Sequence, residues 1–250
     1  MFDGRRAIIE IDDNDKTVYF DTYKLKKITG TRIAPILGLS EFSTPFKVAC
    51  ELAGLYPGDK TNKYLEAGNV IEPILRDYAV RNTDVISEML GYDAEIEGPV
   101  SGERCGYDHF HNEKLFGGLV DGYIRSNGSR KAVLEIKTSG SREAWKDDSG
   151  SYTNVPEQYM LQASLYAALS GLDKIVFLVG FLDEGDYLRP RQWVPDGENS
   201  FFILKDRLDM SGPMEECTEW YNEYMKQGFT PDWTDKDADV LKYLRAFKPR

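Results

Sequence analysis

An α/β or α+β fold, with one sheet covered on its faces by helices, is what this sequence predicts. Three observations carry it: strand-like segments cluster between residues 93 and 139, an apolar strand follows at 174–182, and segments of helical period flank both. The elements follow in order. Segments 6-RAIIEI-11 and 17-TVYFD-21, separated by the turn-rich DDNDK, read as a β-hairpin. Next, 31-TRIAPILGLS-40 and 44-TPFKVACELAG-54 read as two short helices closed by glycine, the second opened by Thr44 as N-cap and Pro45 at the first helical position. The spacing of Tyr64, Gly68, Ile71, Leu75 and Tyr78 on one face predicts a longer helix over 61–82. Residues 93–139 read as strands joined by turns, with SNGS at 126–129 as the hairpin signal. An amphipathic helix is expected at 156–171, from proline to glycine, feeding the strand 174-KIVFLVGFL-182; helices at 212–228 and 235–247 complete the chain.

No internal repeat, low-complexity tract or long Gly/Ser/Pro linker divides the 250 residues, so one domain with decorations is expected. A 41% hydrophobic and 12% aromatic composition suffices for a sizeable core. The longest apolar run, 175-IVFLVGFL-182, falls far short of the roughly 20 residues of a membrane-spanning helix. The first residues lack the apolar stretch of a signal peptide. Cys50, Cys105 and Cys217 are too scattered for a disulfide framework or a thiolate metal site. A soluble protein of the reducing cytoplasm is expected. With 42 acidic against 31 basic residues the net charge is −11, which argues against a surface coated with positive charge for nucleic acid. The cations are uneven, however: 24-KLKK-27 with Arg32, and Arg130, Lys131, Lys137, Arg142 and Lys146, form two local concentrations.

The segment 131-KAVLEIKTSG-140 sets Glu135 and Lys137 two apart in an apolar run, so both project from one face of a strand while Leu134 and Ile136 point to the other. From that triplet alone, a salt bridge on a half-exposed strand is the simpler reading. Fourteen residues upstream, 117-GGLVDGYI-124 sets Asp121 among glycines and apolar residues; if SNGS makes the turn, Asp121 approaches Glu135 across the ladder. Two carboxylates so placed repel unless something positive lies between them, and a hard divalent cation such as Mg²⁺ suits oxygen ligands. Glu72 in 68-GNVIEPILRDYA-79 is a third acidic candidate. Gly68, one turn earlier on the same side, costs about 1 kcal/mol relative to alanine in a helix interior, so a close backbone approach is expected there. Gln158, Gln162 and Tyr166 recur at i, i+4 and i+8, a polar stripe able to hydrogen-bond phosphate or a metal-bound water.

In order, G-N-x-x-E at 68–72, G-G-x-x-D at 117–121, E-x-K at 135–137 and Q-x-x-x-Y at 162–166 resemble the PD-(D/E)XK nuclease superfamily, and more closely its lambda-exonuclease-like branch, the YqaJ-type viral recombinase nucleases. The segment 28-ITGTRIAPILGLSEFSTPFKV-48 is similar to that branch's entry segment, so the likeness runs from about residue 22 to about residue 182. It implies a single nuclease domain with a restriction-endonuclease-like core, a central mixed β-sheet flanked by helices, and a helical decoration over about 199–250. It further implies Mg²⁺- or Mn²⁺-dependent cleavage of DNA, 5′→3′ on linear duplex ends, leaving 3′ overhangs for a single-strand annealing protein. Carried over, Asp121, Glu135 and the Ile136 carbonyl hold the metal, Glu72 completes the acidic cluster, and Lys137 orients or activates water and balances the phosphate. Gln162 and Tyr166 position substrate; Lys24 and Thr31, with Arg32, stand where the branch binds the DNA end. Lys24 and Thr31 replace an arginine and a serine of the lambda enzyme, and lysine loses the bidentate fork of arginine. A ring-shaped homo-oligomer, such as a trimer, in the cytoplasm of a bacterial host is also implied, for a phage or prophage protein. The alternatives are an endonuclease or single-strand-specific nuclease on the same core, or a catalytically silent DNA-binding accessory protein.

Overall fold

Hydrophobic alternation in the middle of the chain and helical period around it produce an ordered series of elements. In the computed structural model, which describes residues 8–58 and 62–246, these are β1 (Ile8–Asp12), β2 (Thr17–Phe20), β3 (Ile28–Thr29), α1 (Gly30–Ile36), α2 (Pro45–Leu52), α3 (Lys63–Arg81), α4 (Thr83–Leu90) and β4 (Glu95–Glu97). There follow β5 (Phe116–Gly117), β6 (Gly122–Ser126), β7 (Ser129–Ser139), α5 (Glu157–Leu169), β8 (Lys174–Phe181), α6 (Glu184–Leu188), β9 (Ser200–Asp206), α7 (Ser211–Trp220) and α8 (Ala238–Arg245). The contacts divide them into two units, one of residues 8–58, His111–Gly117 and 209–246, the other of residues 62–110 and Gly118–Leu208.

The first unit holds the antiparallel β1–β2 hairpin and a short parallel pairing of β3 with β5. Residues 6 and 7 of the expected first strand lie outside the described residues. Thr44 caps α2, accepting from the Lys47 amide at 3.0 Å, with Pro45 in the first turn as expected. The helix expected over 212–228 is α7 continued by a π-helical turn, Tyr221–Met225; that over 235–247 opens with a 3₁₀ turn, Asp235–Asp237, before α8, and its last residue lies outside the described residues.

The second unit is built on a mixed five-stranded sheet, β4-β6-β7-β8-β9, in which only the β7–β8 pair is parallel. The parallel pair needs a long crossover, and α5 lies within it. Between β6 and β7, Asn127 (φ 49°) and Gly128 (φ 77°) form the left-handed two-residue turn that Asn-Gly favours. On one face, Ala67, Ile71, Leu75 and Ala79 of α3 pack with Leu134 and Ile136 of β7 and Val176 and Leu178 of β8. Tyr64, expected on that buried face, is 51% exposed because it sits in the first turn, before α3 reaches the sheet.

Four elements depart from expectation. The region from about residue 199, expected to be helical decoration, begins with the edge strand β9, paired with β8 from Lys174↔Asp206 to Gly180↔Ser200. α4 follows α3 after the single residue Asn82, and α6 fills a stretch left unassigned by periodicity. The amphipathic α5 has no wet side along its middle: Leu161 through Ala167 are all buried. The packing makes one expectation quantitative. Leu75→Ala, at a fully buried site, is expected to lower unfolding free energy by about 2–5 kcal/mol, read as a lower urea midpoint at constant slope; an unchanged midpoint would contradict the core assignment.

Candidate active site

Strand register decides which side chains meet. Gly122 lies opposite Leu134 in the β6–β7 pair, so one step out Asp121 falls opposite Glu135 on the same face. That face is turned toward α5, away from the α3 core. There Gln162 Nε2 donates to Glu135 Oε1 at 2.7 Å, and Lys137 Nζ reaches the same oxygen at 2.7 Å and Gln162 Oε1 at 3.3 Å. Glu135 is fully buried, and the Lys137 side chain is 16% exposed. Glu135 Oε1 is thus doubly bonded, while Oε2 is buried without a hydrogen-bond partner among the described residues. A carboxylate oxygen left so is costly, and a bound cation would remove the cost.

Asp121 is held from the strand beside it: its Oδ2 accepts from the Ile136 amide at 2.8 Å. Glu72, on α3, ion-pairs with Arg76 one turn later, and Arg76 Nε donates to the Asp121 carbonyl at 3.2 Å. Glu72 therefore stands beside the carboxylate pair with its charge already engaged. Among the described residues no three His, Cys, Asp or Glu side chains form a group that could hold a metal ion. The two carboxylates, Asp121 and Glu135, with one orphaned buried oxygen between hard donors, fit a divalent oxygen-loving cation that keeps further waters. Glu72, Arg76 and Asp121 also line a cleft of about 540 Å³ with Val100, His109 and Leu119.

Electrostatics follow from burial without a cation. Burial first, then the Glu135 charge and more weakly Glu72, push the Asp121 carboxyl up to about 8, although Lys137 opposes them. Burial likewise raises Glu135 against the pull of Lys137. For Lys137, burial works against the charge, but Glu135 and Asp121 outweigh it and hold the ammonium above the usual lysine range. Lys137 therefore stays a cation.

Tyr166, 3% exposed, lies under the loop that leads to Asp121. A Cβ at Gly118 (φ 139°) would come within 2.7 Å of its ring, so both backbone and space there require glycine. The hydroxyl side of the Gln/Tyr stripe thus shapes the Gly-Gly turn, stacked on Phe110 at 6.0 Å. Gly68 has no such constraint: a Cβ would meet only the Thr138 hydroxyl at 3.6 Å, an ordinary contact and a side chain rather than the expected backbone. Lys24, Thr31 and Arg32 belong to the first unit. Lys24, at positive φ (62°), lies over the Tyr23 ring; Thr31 bonds Thr29; Arg32 donates to the Lys27 carbonyl at 3.3 Å and pairs with Glu51 at 3.6 Å.

Four residues have structural claims that sequence reasoning passed over. Arg76 ties Glu72 to the Asp121 backbone. Asp108 accepts from the Gly118 amide at 3.1 Å, and His109 accepts from the Val120 amide at 3.0 Å through Nδ1 while its Nε2 meets the Val100 carbonyl at 2.9 Å. That pattern fixes the Nε2–H tautomer and anchors the strand end carrying Asp121. Tyr159, stacked on buried Trp145, carries Lys137 Nζ 5.2 Å from its ring centre. The cluster 108-DHFH-111 just before the glycine pair was the available signal for two of them.

A mixed sheet that sets Asp121 opposite the E-x-K strand is consistent with the PD-(D/E)XK superfamily that the sequence resembles. Residues 19–173 match the family described as the YqaJ-like viral recombinase domain, and the chain belongs to it. It is 28% identical over 255 aligned positions to an uncharacterized protein of Mycoplasma genitalium, covering 87% of each chain, and 26% identical to a homolog in Mycoplasma pneumoniae, covering 90% of each. Among solved structures it is similar to the alkaline exonuclease LHK-Exo of Laribacter hongkongensis (16% identity, TM-score 0.56, 89% of this chain and 95% of that one). It is also similar to a phage-related exonuclease from Haemophilus somnus 129PT (15% identity, TM-score 0.54, 81% and 95%). These likenesses show the lambda-exonuclease-like fold. No described helix is long and apolar enough to cross a membrane.

The raised Asp121 carboxyl has a stability consequence. The folded chain keeps a proton at Asp121 that the unfolded chain releases near 3.8, so the contribution is complete below that value and is lost as pH rises through about 8. The metal-free wild type is expected to lose melting temperature between pH 5 and 9 more steeply than Asp121→Asn, by several degrees in calorimetry. Parallel pH profiles would show that Asp121 is not under this strain.

Proposed function

We propose that this protein is a Mg²⁺- or Mn²⁺-dependent deoxyribonuclease that digests linear double-stranded DNA from its ends, 5′→3′, leaving 3′ overhangs for an annealing protein. The observation that carries the reading is the buried Glu135–Lys137–Gln162 cluster opposite Asp121, with Glu135 Oε2 unpartnered. When bound, the cation supplies phosphate polarisation and a more acidic water. The chain's own residues do the rest. The Ile136 amide fixes the Asp121 carboxylate, and Gln162 with Lys137 fixes Glu135 so that Oε2 is the oxygen offered to the cation; the Ile136 carbonyl and Glu72 are the further ligand candidates. Lys137, held protonated, balances the scissile phosphate and orients the attacking water rather than taking its proton. Arg76 keeps Glu72 and the Asp121 backbone in place, and Tyr166 supports the turn that presents Asp121 to substrate.

Support for DNA as substrate comes from family membership and from the shared fold of LHK-Exo, also solved in complex with dAMP. Lys24, Thr31 and Arg32 are the proposed contacts to the 5′-phosphate, and a ring-shaped homo-oligomer is the proposed assembly. Linear duplex with a 5′-phosphate or 5′-hydroxyl end, in Mg²⁺ or EDTA, tests both levels. Glu135→Gln and Lys137→Ala, checked for folding by thermal melts, are expected to lose about 10²–10⁴-fold in metal-dependent rate, and wild type is expected to leave supercoiled circles intact. Full activity in both variants would sink the site. The phosphorylated end is expected to be digested faster, with Lys24→Ala narrowing the gap; equal rates on both ends in the wild type would remove end recognition alone.

A further inference from the structure

The first turn of α3 and the helix α6 form an aromatic patch in which Tyr64 is exposed and Tyr187 is half-buried against the core. Tyr64, 51% exposed, meets Tyr187 edge-on with ring centres 4.8 Å apart at 75°. Lys63 Nζ lies 5.0 Å from the Tyr64 ring centre and 6.0 Å from that of Tyr187. The Tyr159 ring carries Lys137 Nζ at 5.2 Å and is stacked on Trp145 at 5.6 Å. The Tyr187 hydroxyl also reaches the outgoing end of β7, where a Cβ on Gly140 would come within 3.1 Å of it. Tyrosines paired with lysines therefore stand both at the proposed cleavage site and beside the outgoing end of the strand that carries it.

Such a series has a chemical preference. Aromatic faces stack on bases of any sequence, and lysines between them meet the phosphates, which is how single-stranded nucleic acid is held without base readout. A duplex hides its base faces inside its own stack, so exposed ring faces are of use only to unpaired nucleotides. Stacking also needs little positive potential, which suits a chain of net charge −11. Lys63 is held by Glu184 at 2.6 Å, but that carboxylate is 75% exposed and gives way to an arriving phosphate without desolvation.

We infer that Tyr64 and Tyr187, with Lys63 and Tyr159, form a stacking platform for unpaired nucleotides of the strand whose phosphodiester lies at Lys137. The identity of that strand rests on the nuclease reading; the stacking itself does not.

The test compares the full chain's affinity, in EDTA so that nothing is cut, for oligothymidylate and for an abasic oligomer of equal length and charge. Wild type is expected to bind the thymidylate roughly tenfold tighter or better, Tyr64→Ala/Tyr187→Ala to lose that difference, and Tyr64→Phe/Tyr187→Phe to keep it. A Tyr64→Trp variant is expected to show fluorescence quenching by thymidylate and none by the abasic oligomer. Equal wild-type affinity for the two oligomers, or an undiminished preference in the folded double alanine variant, overturns the platform. Wild-type self-association abolished by Tyr64→Ala, with no base preference, assigns the patch to a second copy and overturns it equally. Base-dependent binding without Mg²⁺-dependent cleavage keeps the platform and removes the nuclease reading; cleavage without base preference does the reverse.

Discussion

The buried pairing of Glu135 with Lys137, closed by Gln162, is the constraint on which the rest of the second unit turns. A carboxylate with no solvent exposure can exist as an ion only if donors replace the water it lost. Two donors converge on Oε1, one from the same strand and one from the helix that connects β7 to β8. That requirement fixes the rotation of α5 about its axis: Gln162 must face the strand, which leaves Leu161, Ala163 and Leu165 to pack around it. A helix buried all round along seven residues would otherwise be free to choose any face. The polar cluster thus sets the register of an apolar helix, a case of a buried polar group specifying a core rather than merely weakening it.

The same cluster is incomplete, and its incompleteness is chemical. Lys137 neutralises one carboxylate, not two, and Arg76 is engaged by Glu72. Asp121 is left facing Glu135 across the ladder with the Ile136 amide as its donor, and its carboxyl is driven toward the protonated form. A fold that merely stored a salt bridge would have no need of Asp121 at that position or of an unpartnered Oε2. Asp121 and Glu135 Oε2 would both be satisfied if they held a divalent cation, which would supply the missing positive charge between the like charges.

Local pattern exposed part of this in the sequence. The two-residue spacing of Glu135 and Lys137 and the Asn-Gly turn at 127–128 announce a hairpin that brings Asp121 near Glu135, but the turn alone would set Asp121 opposite Leu134; a bulge, with Arg125 opposite Arg130 and Ile124 opposite Ala132, shifts the register by one and makes Glu135 its partner. The buried state of Gln162 was not legible in the same way. Its four-residue spacing from Gln158 and Tyr166 describes a stripe equally well whether that stripe meets water or a sheet, and only the burial of the whole helix decides. Arg76 was hidden for the opposite reason: beside Glu72 it reads as an ordinary surface pair, while its second bond goes to a backbone carbonyl that no side-chain pattern records. β9 was missed because Phe201 and Phe202 are adjacent rather than alternating, and its strand character comes from pairing with β8 at the sheet edge. Gly68 misled, since a helix glycine signals close approach only where the neighbouring surface is tight.

Charge bears on how an acidic chain would hold DNA. The second concentration of cations noted in the sequence is largely spent within the fold: Arg130 pairs with Glu97, Lys146 with Glu143, and Arg142 lies over Phe181 while bonding the Glu198 carbonyl. Each such pair reduces what that surface can offer to a phosphate backbone, and long-range attraction would fall further with salt. An acidic nuclease can compensate in two ways. It can enclose the duplex by assembling copies, which converts weak contacts into a topological hold, or it can bind bases, whose stacking is insensitive to the sign of the protein's charge. The exposed Tyr64 beside Lys63 suits the second route in the proposed reaction. A strand gripped through its bases next to the proposed site would also be positioned along its length by stacking, so that successive phosphates could be brought to the same carboxylates without any sequence-specific contact.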